Sequence, residues 1–107
     1  MGIEYAYQKS QIALEEIARG SGSLAARLTK AKFLLKEGAG IGADLPLHLR
    51  EPHEHIIASL ADLKKRSSRE RNGLARQIFM LADILAESCN RPLRVKPQEF
   101  EHRLQVG

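Results

Sequence analysis

Aromatic residues make up only 5% of this 107-residue chain, and it has one cysteine, Cys89. With so few large rings available, the core must be built from Leu, Ile and Ala. A lone cysteine excludes an intrachain disulfide, and a thiolate metal cluster would need ligands from other chains. Cys89 is expected to serve as a small hydrophobe near a helix end. No apolar run approaches the ~18 or more residues that would cross a bilayer, and Met1-Gly2-Ile3-Glu4-Tyr5 offers neither a basic start nor an apolar export segment. A cytoplasmic protein without a membrane partner is the expectation.

What is present is 43% hydrophobic and 28% charged, too apolar for wholesale disorder and long enough for one domain over 1–107. A core of that size is modest, so self-association as a homodimer is expected. The formal net charge is +4, and its distribution matters more than its total. Residues 41–62 hold one base against four acids, whereas 63–76 hold six bases against one acid. Positive potential therefore gathers in one short stretch.

Apolar residues recur at helical spacing through most of the chain. Ile3, Tyr7, Leu14 and Ile17, filled in by Ala6, Ala13 and Ala18, predict a helix over 3–19. Gly20-Ser21-Gly22-Ser23 supplies a stop and an N-cap for a second helix over 23–36, with Leu24, Leu28, Ala31 and Leu35 as its stripe and Phe33 and Leu34 widening it. Glycines 38, 40 and 42 end that helix. The chain to Arg50 reads as loop, with Leu45, Leu47 and Leu49 as a short extended piece over the end of the core. Pro52 suits the first position of a third helix, 52–65, whose face is Ile56, Ile57, Leu60 and Leu63.

Ser67-Ser68-Arg69-Glu70 matches a capping box, which starts a fourth helix over 68–89. If that cap were unused, helices three and four would merge into one rod. Leu74, Ile78, Leu81 and Leu85 give the fourth helix a broad apolar face suited to central packing or to self-association. Asn90-Arg91-Pro92 ends it, and Pro97 opens a last short helix over 97–104 carrying Phe100 and Leu104. The fold class is all-α, an irregular helical bundle or two packed helical hairpins, with four main helices and a short C-terminal one.

Function is signalled most clearly by Lys64, Lys65, Arg66, Arg69, Arg71 and Arg76 around Glu70. Such a cluster suits an acidic protein partner, the leading expectation for a non-enzymatic regulatory or adaptor protein. Nucleic acid is the alternative. The cluster would then hold phosphates, Asn72 and Gln77 would add neutral hydrogen bonds, and a helix-turn-helix-like hairpin at 14–33 would turn Arg27, Lys30 and Lys32 outward. No aromatic interrupts the cluster in sequence, which disfavours binding of single strands by stacking.

Metal, cofactor and catalytic readings are weaker. His53 and His55 are too close on a helix to share an ion, and His48 and His102 do not complete a zinc set. Gly38-Ala39-Gly40-Ile41-Gly42 follows a helix and lacks the Lys-Ser/Thr pair of a phosphate cradle. Ser67 is better explained as a cap than as a nucleophile, and Asp83 with Glu87 forms an outward acidic pair rather than an acid/base dyad. No metal, cofactor or catalytic residue is assigned.

Overall fold

The computed structural model describes residues 2–36 and 45–105. Five α-helices and no strands are found among them: α1 Ile3–Arg19, α2 Leu24–Lys36, α3 Leu47–Ser59, α4 Ser68–Ser88 and α5 Pro97–Gln105, with a 3₁₀ turn at Leu60–Lys65. The expected all-α fold is observed. The glycine hinge read at residues 38–42 lies outside the described residues.

The centre of the structure follows from the two most periodic segments. In α1, Ala6, Tyr7, Gln11, Ala13, Leu14, Ile17 and Ala18 fall on one face and are buried; in α4, Leu74, Ala75, Ile78, Leu81, Ala82, Leu85 and Ala86 do the same. The two helices pack together, and α2 closes on α1 from another side. Buried residues of all five helices join one apolar cluster.

Two glycines make the turn between α1 and α2. A side chain at Gly20 would lie 2.3 Å from the Glu16 carbonyl oxygen, and Gly22 has φ +93°, a conformation that glycine adopts without strain. Ser23 then caps α2 as expected, its Oγ accepting from the Ala26 amide at 3.2 Å. Across the turn Arg27 reaches back, its guanidinium donating to the carbonyls of Ile17 and Gly22.

The third helix differs from the expected 52–65. It begins after Pro46, whose carbonyl accepts the Leu49 amide at 2.9 Å, and it carries Pro52 inside. The reason is a stripe longer than Pro52 suggests: Leu45, Leu49, His53, Ile56 and Leu60 recur every three or four residues, and all are buried. Leu47 does not join Leu45 and Leu49 in an extended piece; it points outward, 77% exposed. Proline at 52 removes the N–H that would bond to the His48 carbonyl, a helix-interior penalty of about 3 kcal/mol that the buried stripe offsets. Helix α3 stops at Ser59, and Asp62 breaks the following 3₁₀ turn with φ −119°, ψ 47°.

Arg66 is extended, so residues 52–89 are not one rod. Ser67 then forms the predicted capping box: its Oγ accepts from the Glu70 amide at 3.1 Å, and its own amide donates to Glu70 Oε1 at 3.0 Å. Replacing Ser67 with alanine is expected to lower stability by about 1 kcal/mol, read as a lower urea midpoint at unchanged m-value. Hydrogen bonds from Ser67, backbone first, hold the Glu70 carboxyl below its ordinary range. The box thus contributes at neutral pH and is lost as pH falls through that depressed value.

Helix α4 ends in a Schellman motif at the expected Asn90-Arg91-Pro92. Asn90 has φ 54°, the Arg91 amide donates to the Ala86 carbonyl at 2.9 Å and the Asn90 amide to Glu87 at 3.1 Å. The connector to α5 is pinned by Gln11, whose Nε2 donates to the Ala82 carbonyl and whose Oε1 accepts from the Arg94 amide.

Candidate functional site

The six bases of the 64–76 cluster separate into two kinds by what they touch. Arg66 Nε donates to the Ser59 carbonyl at 2.9 Å, closing the end of α3. Arg71 Nε donates to the Leu63 carbonyl at 2.9 Å, closing the 3₁₀ turn. Arg76 grips Glu101 of α5 with two guanidinium nitrogens, at 3.0 and 2.8 Å. These three arginines are therefore occupied as joints. Hydrogen bonding to Arg76 holds the Glu101 carboxyl below its ordinary range.

Lys64, Lys65 and Arg69 are exposed, and their side chains make no hydrogen bond or ion pair among the described residues. The two lysines sit on the turn that Arg66 and Arg71 tie down. Guanidinium forks suit fixed carbonyls, whereas a hydrated ammonium on a flexible stem suits presentation in water.

Beside these lysines lies a groove of about 340 Å³ between α2 and the 3₁₀ turn. Its walls include Lys32, Phe33, Asp62, Lys64 and Lys65. Phe33 is 69% exposed. Three lysines against one aspartate thus share the groove walls with an unburied aromatic ring, which can make cation–π or apolar contact with whatever the lysines attract. No sequence pattern announced this corner, because Phe33 and Lys64 stand on different elements; the available hint was a phenylalanine beyond the buried stripe of α2.

The other residues read as nucleic-acid contacts do not assemble. Arg27 is fully buried rather than outward, because its guanidinium closes the C-terminal end of α1. Lys30 is exposed and lies 3.5 Å from Glu16. Asn72 is half-buried, and Gln77 lines a different groove from the one holding Lys32. The hairpin at 14–33 is therefore a packed corner whose second helix turns only Lys30 and Lys32, of the three, toward its surface.

Self-association through Leu74, Ile78, Leu81 and Leu85 meets a similar correction. All four are at most 5% exposed, enclosed within the chain because α4 packs centrally. Exposed apolar surface on α4 is instead Met80 and Ile84. Together with Leu47, His48, Pro52 and His55 of α3 they border a second groove, of about 640 Å³, floored by Leu49, Ile56 and Leu81.

His53 and the thiol take structural places. His53 is buried and its Nε2 lies 3.2 Å from the Leu35 carbonyl. A carbonyl only accepts, so Nε2 carries the proton and closes one of the orphan carbonyls of α2. Cys89 is the C-cap residue of α4, half-buried against the core. Burial, then the Glu4 carboxylate, raises its thiol above the ordinary value, with Arg91 opposing, which disfavours the nucleophilic thiolate. Among the described residues no three His, Cys, Asp or Glu side chains are grouped to hold a metal ion, and no helix is long and apolar enough to cross a membrane.

The chain is thus a small all-α protein whose surface carries acidic and basic side chains, many in salt bridges, beside a basic corner whose lysines form no ion pair among the described residues. Comparison with protein-family models, curated proteins and solved structures found no match.

Proposed function

We propose that the protein is a non-enzymatic adaptor or regulatory protein that binds an acidic protein surface at the corner formed by Phe33, Lys32, Lys64 and Lys65. The observation that carries this reading is the exposed ring of Phe33 among three lysines, two of them on a turn held by two arginine joints. The lysines draw an acidic partner and set its orientation, and the ring supplies the desolvated contact that fixes it. A non-catalytic role is supported by the occupation of Ser67 as a cap and by the raised thiol of Cys89.

The test uses a labelled peptide rich in Asp and Glu around two or three aromatic or leucine residues, followed by fluorescence anisotropy at low salt. Reversing both Lys64→Glu and Lys65→Glu is expected to weaken binding about 30-fold or more, and Phe33→Ala about tenfold, at 1.4 kcal/mol per tenfold. Lys30→Glu, which alters a base beside Glu16, is the control with little effect. Equal binding by wild type and the double reversal defeats the reading.

Single-stranded nucleic acid is the second reading, favoured by the same ring, since a base can stack on Phe33 while the lysines hold phosphates. Against it stand Asp62 in the groove wall and the burial of Arg27. An oligothymidylate probe in the same assay separates the two. Tighter binding of that probe than of the peptide, falling steeply with salt, would favour the second reading.

A further inference from the structure

Two apolar patches among the described residues stand open beside groups of opposite charge. The first is the Phe33 corner, with Lys32, Lys64 and Lys65 in its walls and Lys36 one turn along α2. The second is the groove between α3 and α4, where Leu47 is 77% and Met80 62% exposed. Glu51 stands in the wall of that groove. Asp83 and Glu87 follow Met80 and Ile84 by three residues each, which places both acids along the outer edge of the same face of α4. All three acids are exposed and unpaired among the described residues. Arg76, the base nearest them on α4, is held by Glu101. The two patches share no lining residue.

We infer that the Phe33 corner of one copy docks in the acidic-edged groove between α3 and α4 of another copy, with the Phe33 ring against Met80 and Ile84. This deepens the proposed function and rests on it, because it names the acidic surface that the corner binds. Charge chooses the pairing. Groove against groove would oppose Glu51, Asp83 and Glu87 to their own counterparts, and corner against corner would oppose lysines to lysines, both unfavourable. Only the unlike pairing brings lysines to carboxylates while covering both apolar patches. The groove has room for the ring, and Met80 is an adaptable side chain to receive it. A contact between unlike patches also leaves each copy with a further patch to offer unless the arrangement closes on itself.

The decisive experiment mixes two variants that damage opposite patches. Phe33→Ser removes the ring from the corner; Met80→Lys puts a cation into the groove, where it repels the incoming lysines. Both residues are exposed, and circular dichroism checks that each variant is folded. Sedimentation velocity over a concentration series at low salt is expected to show reversible association of the wild type, weakened at least about tenfold in either variant alone. Mixing the two is expected to restore a complex with one copy of each, since the mixture retains one sound corner and one sound groove. Association that survives Phe33→Ser but not Met80→Lys would point to groove-to-groove contact and overturn the inference. So would loss in both variants without recovery on mixing. A wild type that stays monomeric yet binds the acidic peptide through Phe33 would also overturn it, while leaving the proposed function standing. If Phe33→Ser changes neither association nor peptide binding, the corner is no docking face and both fall.

Discussion

Replacing Arg27 with alanine is expected to remove about 3–5 kcal/mol of folding free energy, a large share of the margin of a domain this size. The side chain is fully buried, and its guanidinium donates to the carbonyls of Ile17 and Gly22. Each hydrogen bond from a charged donor is worth about 1.5–3 kcal/mol, and truncation adds a cavity beneath the turn between α1 and α2. Burial, reinforced by Arg103 and opposed by Glu16, lowers the affinity of this guanidinium for its proton. Arginine nevertheless stays charged at neutral pH, so the cation must be held by partners. Arg27→Lys keeps the charge but loses the fork, and should recover only part of the stability. Urea unfolding of the three proteins is the measurement. A loss below about 1 kcal/mol for Arg27→Ala would mean that the two carbonyls find water in its place.

Phe100→Ala is expected to cost a similar amount, about 3–5 kcal/mol, and to show where it acts. Helix α5 has nine residues, too few to persist alone, and its place depends on Phe100 and Leu104 entering the core. The ring of Phe100 lies 4.9 Å from that of Phe79, tilted by 49°. Around it are Arg19 with Glu99 at 2.7 Å, Arg76 with Glu101 at 2.8 Å and Arg103 with the Gly20 carbonyl at 2.8 Å. Exposed ion pairs contribute little in water, so they orient α5 more than they hold it. Amide exchange over 97–105 in the variant is expected to approach that of open chain, ahead of the remaining helices. Unchanged protection there would show that the polar contacts suffice to hold the helix.

Legibility from sequence tracked how local each cause was. Helix α1 was readable from its long stripe, and α4 because a long stripe and strong caps agree, at Ser67 with Glu70 and again at Asn90-Arg91-Pro92. Helix α3 was misplaced because Pro52 resembles a helix start and the stripe that overrules it begins seven residues earlier, at Leu45. Burial of Arg27 and Gln11 was invisible, since polar side chains enter a core only when the fold brings backbone groups to meet them, across the turn for Arg27 and from far along the chain for Gln11. In the basic cluster the sequence showed where charge accumulates but not which cations are already engaged. That depends on carbonyls exposed where α3 and the 3₁₀ turn end, and on Glu101 of a helix 25 residues away.

Cation type divides the labour at the turn before α4: the guanidinium groups of Arg66 and Arg71 fasten backbone carbonyls, and the ammonium groups of Lys64 and Lys65 face the water. Lys64 and Lys65 consequently carry almost no burden in keeping the chain folded. Whatever restricts the amino acids tolerated at those two positions during evolution must come from the molecule's encounters rather than its architecture, whereas at Arg66 and Arg71 the two pressures are superimposed.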